Sequence, residues 1–507
     1  MSQKKPNLLF LMTDQMQGRV LDPGHPCQTP NFDRLIAEGV RFTRAYTPNA
    51  VCSPARASLM TGLLPHNHGV LQVTHTGEPD QNVLRTEHPH WAQILQQNGY
   101  RTGYFGKWHV EHSESPERFG WEVTAKAARR TELTPENSGG GTPKAPVIGN
   151  PSFHHNQPEG YRETLLYGVT DMPPEERGCG LNTGRAMEFL DEALQGEAPW
   201  CCFVSVLEPH DPFVCGREAW SRYEVDSLPL APNAFDDLAD RPGLYRKAAR
   251  TWSGLSERQR REAMACYYAT ITEIDTQFGK LLARLRESGE WENTIIVLTS
   301  DHGELLGAHG LYTKNIGAFE EVYQIPLVIS GPGLRKGETT AARVGLHDLH
   351  PTLLELTGCH AEPARALPDS RSFAPVLHRA EAEADHAAGF AEYYGGRIHL
   401  TQRIVWEGDW KFVFNGFDED ELYHLAADPY ELTNLAHDPA CEEQLRRMCR
   451  LMWQKIIDTG DRSLANSHYA SLRLAPYGPC LAAAPEQATA STTPVPPSGA
   501  PRDQADG

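Results

Sequence analysis

The sequence predicts an α/β fold, with a large mixed, mostly parallel sheet flanked by helices and a smaller C-terminal antiparallel subdomain. Continuous apolar runs at residues 7–12, 201–207 and 294–299 predict strands that are buried on both faces of the sheet. Segments with helical apolar spacing separate these runs, which allows the strands to connect in parallel. A change of pattern near residue 397 predicts the antiparallel part.

The predicted helices have recognisable ends. Thr29-Pro30 offers an N-cap and a first-turn proline for a helix that continues to Ala37. Helical apolar spacing also marks residues 90–97, and the longest helical pattern extends over residues 256–288. Helices between apolar strands predict a sheet covered on both faces.

The C-terminal pattern is that of an antiparallel hairpin. Apolar segments at 403–406 and 410–414 flank the turn Glu407-Gly408-Asp409. This arrangement differs from the buried parallel strands earlier in the chain, and it predicts a separate, smaller sheet.

A chain of 507 residues is too long for one ordinary hydrophobic core. We predict a catalytic domain over residues 1–380, a C-terminal subdomain over 381–481 and a tail over 482–507. The tail is rich in Ala, Pro, Ser and Thr, a composition that predicts disorder. Residues 122–165 contain three consecutive glycines and several prolines, and we interpret them as an insertion on the substrate side.

Charge and cysteine usage narrow the range of partners and compartments. The formal net charge of −19 disfavours nucleic acid and anionic membrane surfaces as partners. The N-terminal apolar run is too short for a secretory signal, and no stretch is long enough to span a bilayer. Eleven cysteines without metal-finger spacing favour a reducing compartment, so we expect a cytoplasmic protein.

Polar pairs follow two of the predicted strands. Asp14-Gln15 comes directly after the first strand, and Asp301-His302 comes after the strand at 294–299. Ligands of open α/β sheets bind at the carboxyl ends of strands, and two carboxylates brought together there need a cation. The alternative is two unrelated strand-end turns, because Asp is common in turns.

Cys52 is predicted to stand at the N-terminus of a short helix that ends at Gly62. Free N–H groups and the helix dipole favour an anion at that position. Arg56 lies one turn further on and can point back at the same anion, with a geometry suited to sulfate or phosphate. The alternative is an ordinary buried cysteine.

The segment from Cys52 to Gly62 (CSPARASLMTG) resembles the signature of the formylglycine-dependent sulfatases of the alkaline-phosphatase superfamily. The resemblance extends across most of the chain. Its further motifs are Asn7–Asp14, Gly106-Lys107-Trp108-His109, Glu208–Phe213, Ser300–Glu304, Gly307–Gly310 with Lys314, and the C-terminal segments 421–425 and 428–435.

The resemblance implies that a formylglycine-generating enzyme oxidises Cys52, and that the hydrated aldehyde of the product is the nucleophile. The encoded thiol is unsuited to this chemistry, because a sulfated thiol has no easy route to hydrolysis. A divalent metal, with Ca²⁺ expected before Mn²⁺ or Mg²⁺, is implied as well. The implied metal ligands are Asp14, Gln15, Cys52, Asp301 and His302.

The family comparison also implies roles for the polar side chains of the motifs. Arg56, Lys107 and Lys314 would hold the charge of the transferring group. His210, together with Lys314, would protonate the leaving alkoxide, and His109 would take the proton from the second hydroxyl of the hydrated aldehyde.

One departure from the family pattern leaves the transferred group open. Many sulfatases have Asp-Asp in the first segment and Asp-Asn in the later one, whereas this chain has Asp14-Gln15 and Asp301-His302. These variants resemble the choline-sulfatase branch and the phosphonate monoester and phosphodiester hydrolases. The leading hypothesis is a sulfatase, and the nearest alternative is a phosphonate monoester or phosphodiester hydrolase that uses the same residues. A third hypothesis is a non-catalytic sulfate-ester-binding protein with unmodified Cys52.

The organic part of the substrate is not determined by the sequence. Specificity is expected from residues 122–165, from 211–250 and from the C-terminal part, and a sulfated sugar is one candidate. Polar and aromatic residues in the first two segments suit such a ligand: Arg129, Arg130, His154, His155 and Trp220. A homo-oligomer is expected only from the frequency of such assemblies among enzymes.

Overall fold

The computed structural model describes residues 4–126, 146–314, 316–361, 367–396, 398–465 and 469–483. The predicted disordered tail lies outside the described residues from position 484 onward. The centre of the predicted insertion, with Arg129 and Arg130, lies outside them as well.

The described strands are β1 (Asn7–Asp14), β2 (Val40–Tyr46), β3 (Arg101–Gly106), β4 (Val123–Lys126), β5 (Ile148–His155), β6 (Thr164–Thr170), β7 (Trp200–Pro209), β8 (Phe213–Gly216), β9 (Thr294–Ser300), β10 (Leu327–Ser330), β11 (Glu338–Gly345), β12 (Ala388–Tyr393), β13 (Gln402–Glu407), β14 (Trp410–Asn415) and β15 (Glu421–His424). The described α-helices are α1 (Pro30–Ala37), α2 (Cys52–Thr61), α3 (Pro65–His68), α4 (Trp91–Gln97), α5 (Gly178–Ala193), α6 (Arg217–Trp220), α7 (Gly243–Ala249), α8 (Glu257–Glu287), α9 (Glu320–Tyr323), α10 (Leu349–Thr357), α11 (Ala374–His378), α12 (Glu442–Thr459), α13 (Arg462–Ala465) and α14 (Cys480–Ala483). Within these described ranges, no helix is both long and apolar enough to cross a membrane.

The main sheet has eight strands in the order β11-β2-β10-β9-β1-β7-β3-β4. β9, β1, β7 and β3 are parallel neighbours in its centre. β10 runs antiparallel to both of its partners, which makes the sheet mixed. The predicted fold class is confirmed, and the three apolar runs of the sequence form adjacent strands in the middle of the sheet.

Helices cover both faces of this sheet. Leu9 and Leu11 of β1 belong to a core that includes residues of α5 and α8. Leu8, Phe10 and Met12 point to the opposite face, into a second core with residues of α2, α4 and α10. Because successive residues of a strand face opposite sides, a strand covered on both sides must be apolar throughout.

The predicted helix from Pro30 to Ala37 forms as α1, but its N-terminus is capped differently from the prediction. The Thr29 side chain makes no capping hydrogen bond. Instead, Asp275 of α8 accepts hydrogen bonds from the backbone N–H groups of Asn31 (3.0 Å) and Phe32 (2.8 Å). A residue distant in sequence therefore satisfies the free N–H groups of this helix.

A third, three-stranded sheet with the order β5-β6-β8 was not predicted. β5 and the first two residues of β6 belong to the segment interpreted as an insertion, and β8 contacts α8. β5 is mostly half-buried and contains a proline, so it lacks the apolar alternation that marks a strand in a sequence.

The predicted C-terminal hairpin is confirmed as β13 and β14, within the antiparallel sheet β12-β13-β14-β15. α12 packs against one face of this sheet. The other face packs against the main body through Trp406, which contacts Tyr46 and Tyr323. The division of the chain at residue 380 stays a prediction.

A buried ion cluster links this sheet to the main body. Lys411 of β14 donates to Glu320 (3.0 Å) and to Glu431 (2.6 Å), and all three residues are at most 5% exposed. Trp406 donates to the same Glu320 carboxylate (2.9 Å). One ammonium group therefore compensates two buried carboxylates.

We expect the substitution Lys411→Met to lower the free energy of unfolding by about 3–5 kcal/mol, because it leaves two buried carboxylates without a cation. Chemical denaturation followed by fluorescence measures this change. Lys247→Met, at an exposed position of α7, is the matched control and should change stability by less than about 0.5 kcal/mol. Equal stability of the two variants would contradict the assigned role of Lys411.

Candidate active site

The carboxyl ends of four parallel strands converge at one edge of the main sheet. Asp14 is the last residue of β1, and Asp301 directly follows β9. Lys107 follows β3, and His210 follows β7. Because these strands are neighbours in the sheet, residues far apart in the sequence meet at one place.

Cys52 begins α2 at this edge, as predicted. Val51 before it is extended, and Gly62 ends the helix with a φ of 71°. The Cys52 Sγ lies 3.1 Å from His302 Nε2 and 3.7 Å from Asp14 Oδ1. The cysteine thus joins the helix terminus to the two strand ends.

Four of the predicted metal ligands form one buried cluster. Donor atoms of Asp14, Cys52, Asp301 and His302 all lie within 4.8 Å of one another. The Nδ1 of His302 lies 2.9 Å from the Gly303 carbonyl oxygen, so this N–H donates there and the Nε2 lone pair faces the cluster. Carboxylate oxygens with one imidazole nitrogen suit a divalent cation.

The charges in this cluster are unbalanced in a way that a cation would relieve. Burial raises the pKa of Asp301, and the negative charge of Asp14 adds to this effect. Burial also opposes the ionisation of Asp14, but Lys107, His210 and Arg56 hold the pKa of that carboxyl below its usual range. The cluster therefore fits a divalent ion both in its donor atoms and in its charge.

The predicted contact of Arg56 with the substrate anion stays a prediction, and the structure shows which protein groups its guanidinium binds. Its Nε–H donates to Asp301 (2.8 Å), and its Nη2 donates to Asp14 (3.1 Å). Nη1 donates to the Lys107 carbonyl oxygen (2.9 Å) and to Ser205 (2.7 Å). Since the side chain is 1% exposed and these contacts occupy most of its donors, it orients the carboxylates of the cluster.

Positive charge converges on the thiol of Cys52. The Lys107 ammonium donates to Asp14 beside it. Burial alone would raise the pKa of the Cys52 thiol, but Lys107, Lys314 and His302 hold this pKa well below its usual range. The environment of Cys52 thus favours a negatively charged group at this point.

His109 is half-buried beside Cys52, with a backbone φ of 55°. Burial and the charge of Lys107 lower the pKa of His109 to about 4. Its Nε2 lies 2.9 Å from Nδ1 of His75, an exposed histidine that the sequence analysis did not identify. The loop around His75 carries no periodic pattern or motif that would have indicated it.

A second group of predicted residues lies next to the cluster. The Lys314 ammonium donates to the amide oxygen of Gln15 and to Nε2 of His210. The Nδ1–H of His210 donates to the Asp211 carbonyl oxygen (2.7 Å). The predicted role of Gln15 as a metal ligand stays a prediction, since its amide oxygen accepts from Lys314 in this arrangement.

Tyr267 of α8 supports the site from behind, a role that the sequence analysis did not give it. Its hydroxyl donates to the Gln15 carbonyl oxygen (2.7 Å) and accepts from the Gln17 N–H (2.9 Å). Gln15 has a φ of 74°, a conformation that a side chain other than glycine adopts at a cost. These two hydrogen bonds help to hold Gln15 in it.

Glu304 ends the segment Ser300–Glu304, which resembles a family motif, but the sequence did not predict a role for this residue. It accepts hydrogen bonds from the Gln15 amide and from the backbone N–H groups of Leu306 (2.9 Å) and Thr313 (2.6 Å). Burial and the neighbouring charge of Asp211 raise the pKa of Glu304 to about 7. Glu304 connects Gln15 to the loop that leads to Lys314.

We expect the substitution Tyr267→Phe to lower the free energy of unfolding by about 1–3 kcal/mol, because a buried N–H and a buried carbonyl lose their partner. Tyr268→Phe removes the same atom from the adjacent side chain, whose hydroxyl has no hydrogen-bond partner in the described part of the chain, and is the control. Thermal and chemical denaturation of both variants measure the two changes in the free energy of unfolding. A loss that is no larger for Tyr267→Phe would contradict the supporting role.

Family models match the chain over most of its length. The model described as Sulfatase matches residues 6–359. The model described as N-sulphoglucosamine sulphohydrolase, C-terminal, matches residues 307–458. The first of these matches covers β1, α2 and every residue of the cluster described above.

Individual proteins also resemble the chain over most of its length. The choline-sulfatase of Rhizobium meliloti (strain 1021) is 29% identical over 449 residues, which cover 87% of this chain and 84% of that protein. The structure of phosphonate monoester hydrolase SpPMH from Silicibacter pomeroyi superposes with a TM-score of 0.73 at 22% identity, covering 91% of this chain and 97% of that chain. The structure of BT4656 in complex with its substrate D-glucosamine-2-N,6-O-disulfate gives a TM-score of 0.71 at 24% identity, covering 90% of this chain and 99% of that chain. The match over residues 6–359 shows that this chain belongs to the sulfatase family, and it is a sulfuric ester hydrolase.

Proposed function

We propose that the enzyme hydrolyses sulfuric esters with a formylglycine formed from Cys52 and with a divalent metal held by the adjacent cluster. The observation that carries this proposal is the position of the Cys52 side chain. It lies at a helix N-terminus, 3.1 Å from His302, among two lysines and two carboxylates. Formylglycine supplies a hydrated aldehyde as nucleophile, and the bound metal supplies positive charge beside it.

The lysines next to Cys52 suit the binding of a transferring sulfuryl group. Lys107 and Lys314 both act on Cys52 electrostatically, from the ends of different strands and loops. Preorganised positive charge of this kind stabilises the charge that develops in the transition state. Arg56 contributes by orienting Asp14 and Asp301, as a positioning residue.

Proton transfer is assigned to the two histidines and Lys314. Lys314 donates to Nε2 of His210, so the proton that the pair would supply to the leaving alkoxide comes from the Lys314 ammonium. The Nδ1 of His109 has no hydrogen-bond partner among the described residues, and its low pKa keeps the ring neutral at neutral pH. A neutral imidazole next to Cys52 is suited to accept the proton of the second hydroxyl of the hydrated aldehyde.

Calcium is the proposed metal, because the cluster offers mainly carboxylate oxygens. The imidazole of His302 leaves Mn²⁺ and Mg²⁺ as alternatives. Gln15 is a further proposed ligand. A formylglycine-generating enzyme is the proposed maturation partner. A cytoplasmic location is supported by the eleven cysteines, all of which are free thiols in the described chain.

A sulfated sugar is the proposed class of substrate. The substrate bound in the BT4656 structure is a disulfated glucosamine, and the C-terminal match is to the family described as N-sulphoglucosamine sulphohydrolase, C-terminal. Hydrolysis of phosphonate esters is the alternative activity of the same site, and the SpPMH resemblance supports it only through the fold.

We expect the protein produced with a formylglycine-generating enzyme to hydrolyse an aryl sulfate with a higher kcat/KM than an aryl phosphonate monoester. Peptide mass spectrometry should show the aldehyde at position 52. Cys52→Ala should abolish turnover, whereas Cys441→Ala, outside the site, should leave it unchanged. A higher kcat/KM for the phosphonate would replace the sulfate assignment, and an unmodified but active Cys52 would exclude formylglycine.

We expect Ca²⁺ to raise the melting temperature, with about 2.7 kcal/mol of stabilisation at a hundredfold excess over Kd. Asp301→Asn should weaken Ca²⁺ binding at least about tenfold, since it removes a carboxylate from the cluster. Scanning calorimetry measures the melting temperature with and without Ca²⁺, and calorimetric titration of the metal-free protein measures the Ca²⁺ affinity. Asp33→Asn, on the exposed side of α1, is the control. Unchanged Ca²⁺ affinity in Asp301→Asn would contradict the proposed ligand set.

A further inference from the structure

A second cavity, of about 380 Å³, lies beside the loop that carries Lys314. Its walls come from the turn at 234–238, from the end of α7 with Arg250, from Arg260 of α8 and from the pair His309-Gly310. A volume of this size accommodates one small ring or charged substituent. None of the predicted catalytic residues lines it.

Arg260 is the unusual member of this cavity wall. The residue is 7% exposed, and no described carboxylate forms an ion pair with its guanidinium. Its Nη2 makes one long contact to the Trp252 carbonyl oxygen (3.5 Å), and its Nη1 has no partner in the described chain. A buried cation without a counter-ion is costly, and an anionic ligand would offset that cost.

The other charged groups of the cavity leave it positive. Arg250 is exposed and forms no ion pair with a described residue. Nη1 of Arg246 donates hydrogen bonds to backbone carbonyl oxygens, including those of Leu238 and Arg241 (2.6 Å each). The carboxylate of Asp236 is already bound by His309 (2.7 Å).

The remaining acid, Asp237, accepts from the Ala239 N–H (2.8 Å). The three guanidinium groups of the cavity wall exceed its two carboxylates by one positive charge, in a chain of net charge −19. A local reversal of charge of this kind attracts anions.

An exposed aromatic ring completes the cavity. Phe235 is 67% exposed, and the guanidinium of Arg260 lies 5.7 Å from the centre of its ring. The ring offers an apolar face next to a cation, a combination suited to a sugar ring that carries an anionic substituent. A free inorganic anion would gain no packing contact with this apolar face.

The cavity is connected to the active site through one hairpin-like loop. Leu305 N–H donates to the Thr313 carbonyl oxygen (3.0 Å), and Gly307 N–H donates to the Leu311 carbonyl oxygen (2.7 Å). The tip of this loop, at His309-Gly310, lines the cavity, and its base leads directly to Lys314. The cavity wall and Lys314 therefore belong to the same loop, with Gly310 four positions before Lys314.

We infer that this cavity binds a second anionic group of the substrate, a sulfate or a carboxylate on a sugar unit next to the one that carries the scissile ester. This inference rests on the proposed function, because it assigns a substrate class to the same enzyme. Arg260 and Arg250 contact the second anion, and Phe235 packs against its sugar ring.

Two substitutions test the site by binding, independently of turnover. Calorimetry on Cys52→Ala protein compares disaccharides that carry one sulfate ester and, on the second ring, a sulfate, a carboxylate or a hydroxyl. We expect the two doubly anionic ligands to bind about 10- to 100-fold more tightly than the neutral-ring ligand. Adding Arg260→Met, or Arg250→Ala if the first variant does not fold, should remove this difference.

Arg258→Met is the matched control, because Arg258 lies on the same helix, exposed and away from the cavity. It should leave the preference unchanged. The difference between the sulfate and carboxylate ligands shows which anion the site prefers. Equal binding of all three ligands, or equal losses in the control, would overturn the inference.

Turnover of a small aryl sulfate separates this inference from the proposed function. Wild-type, Arg260→Met and Arg250→Ala proteins should share the same kcat/KM for that substrate within about twofold. An active wild type with no second-anion preference overturns the cavity inference alone. An inactive wild type that carries formylglycine and metal overturns the proposed function, while the binding comparison still decides on the cavity.

Discussion

The parallel pairing of β1 with β9 places two carboxylates, Asp14 and Asp301, side by side in the interior of the protein. Two buried negative charges at this distance repel each other, and neither is solvated. The neighbouring cationic side chains compensate this repulsion. Arg56 donates to both carboxylates, Lys107 donates to Asp14, and a divalent cation would complete the compensation.

The same constraint explains why the supporting residues come from so many elements. A cluster that concentrates charge needs side chains held in single orientations, and hydrogen bonds from behind hold them. Tyr267 reaches in from α8, and Glu304 connects Gln15 to the loop before Lys314. Two of the described non-glycine residues with positive φ, Gln15 and His109, lie inside this supported region. Such strained backbone conformations persist only where contacts with the surrounding fold hold them in place.

The loop from Asp301 to Lys314 joins three parts of the molecule. Its first residues contribute to the candidate metal-binding cluster, and its last residue contacts His210 and Gln15. Its tip lines the cavity of Arg260, where the charge is positive. The C-terminal sheet is linked to the body nearby, through the buried contacts of Lys411 with Glu320. The segment from Asp301 to Lys314 thus connects the reacting centre with the proposed second-anion cavity.

The sequence alone determined the elements whose signal is local. Continuous apolar runs predicted β1, β7 and β9, because strands buried on both faces need no alternation. The motif around Cys52 predicted α2 and its place at a helix terminus, and family resemblance indicated the polar residues at the strand ends. All ten of those residues do meet at one edge of the sheet, although their catalytic and ligand roles remain proposals.

Only the tertiary structure decided which groups these residues contact. The sequence predicted a contact of Arg56 with an anion, which stays a prediction, but it did not show that the pairing of β1 and β9 places two carboxylates within reach of its guanidinium. Asp275, Tyr267 and His75 act on residues 34 to 252 positions away in the chain, and no local pattern encodes contacts of that range. The half-buried β5 was missed for a related reason, since its partners rather than its periodicity stabilise it. The spacing of apolar residues indicates which face of a single helix or strand is buried. Charge compensation depends instead on which elements become neighbours in the fold.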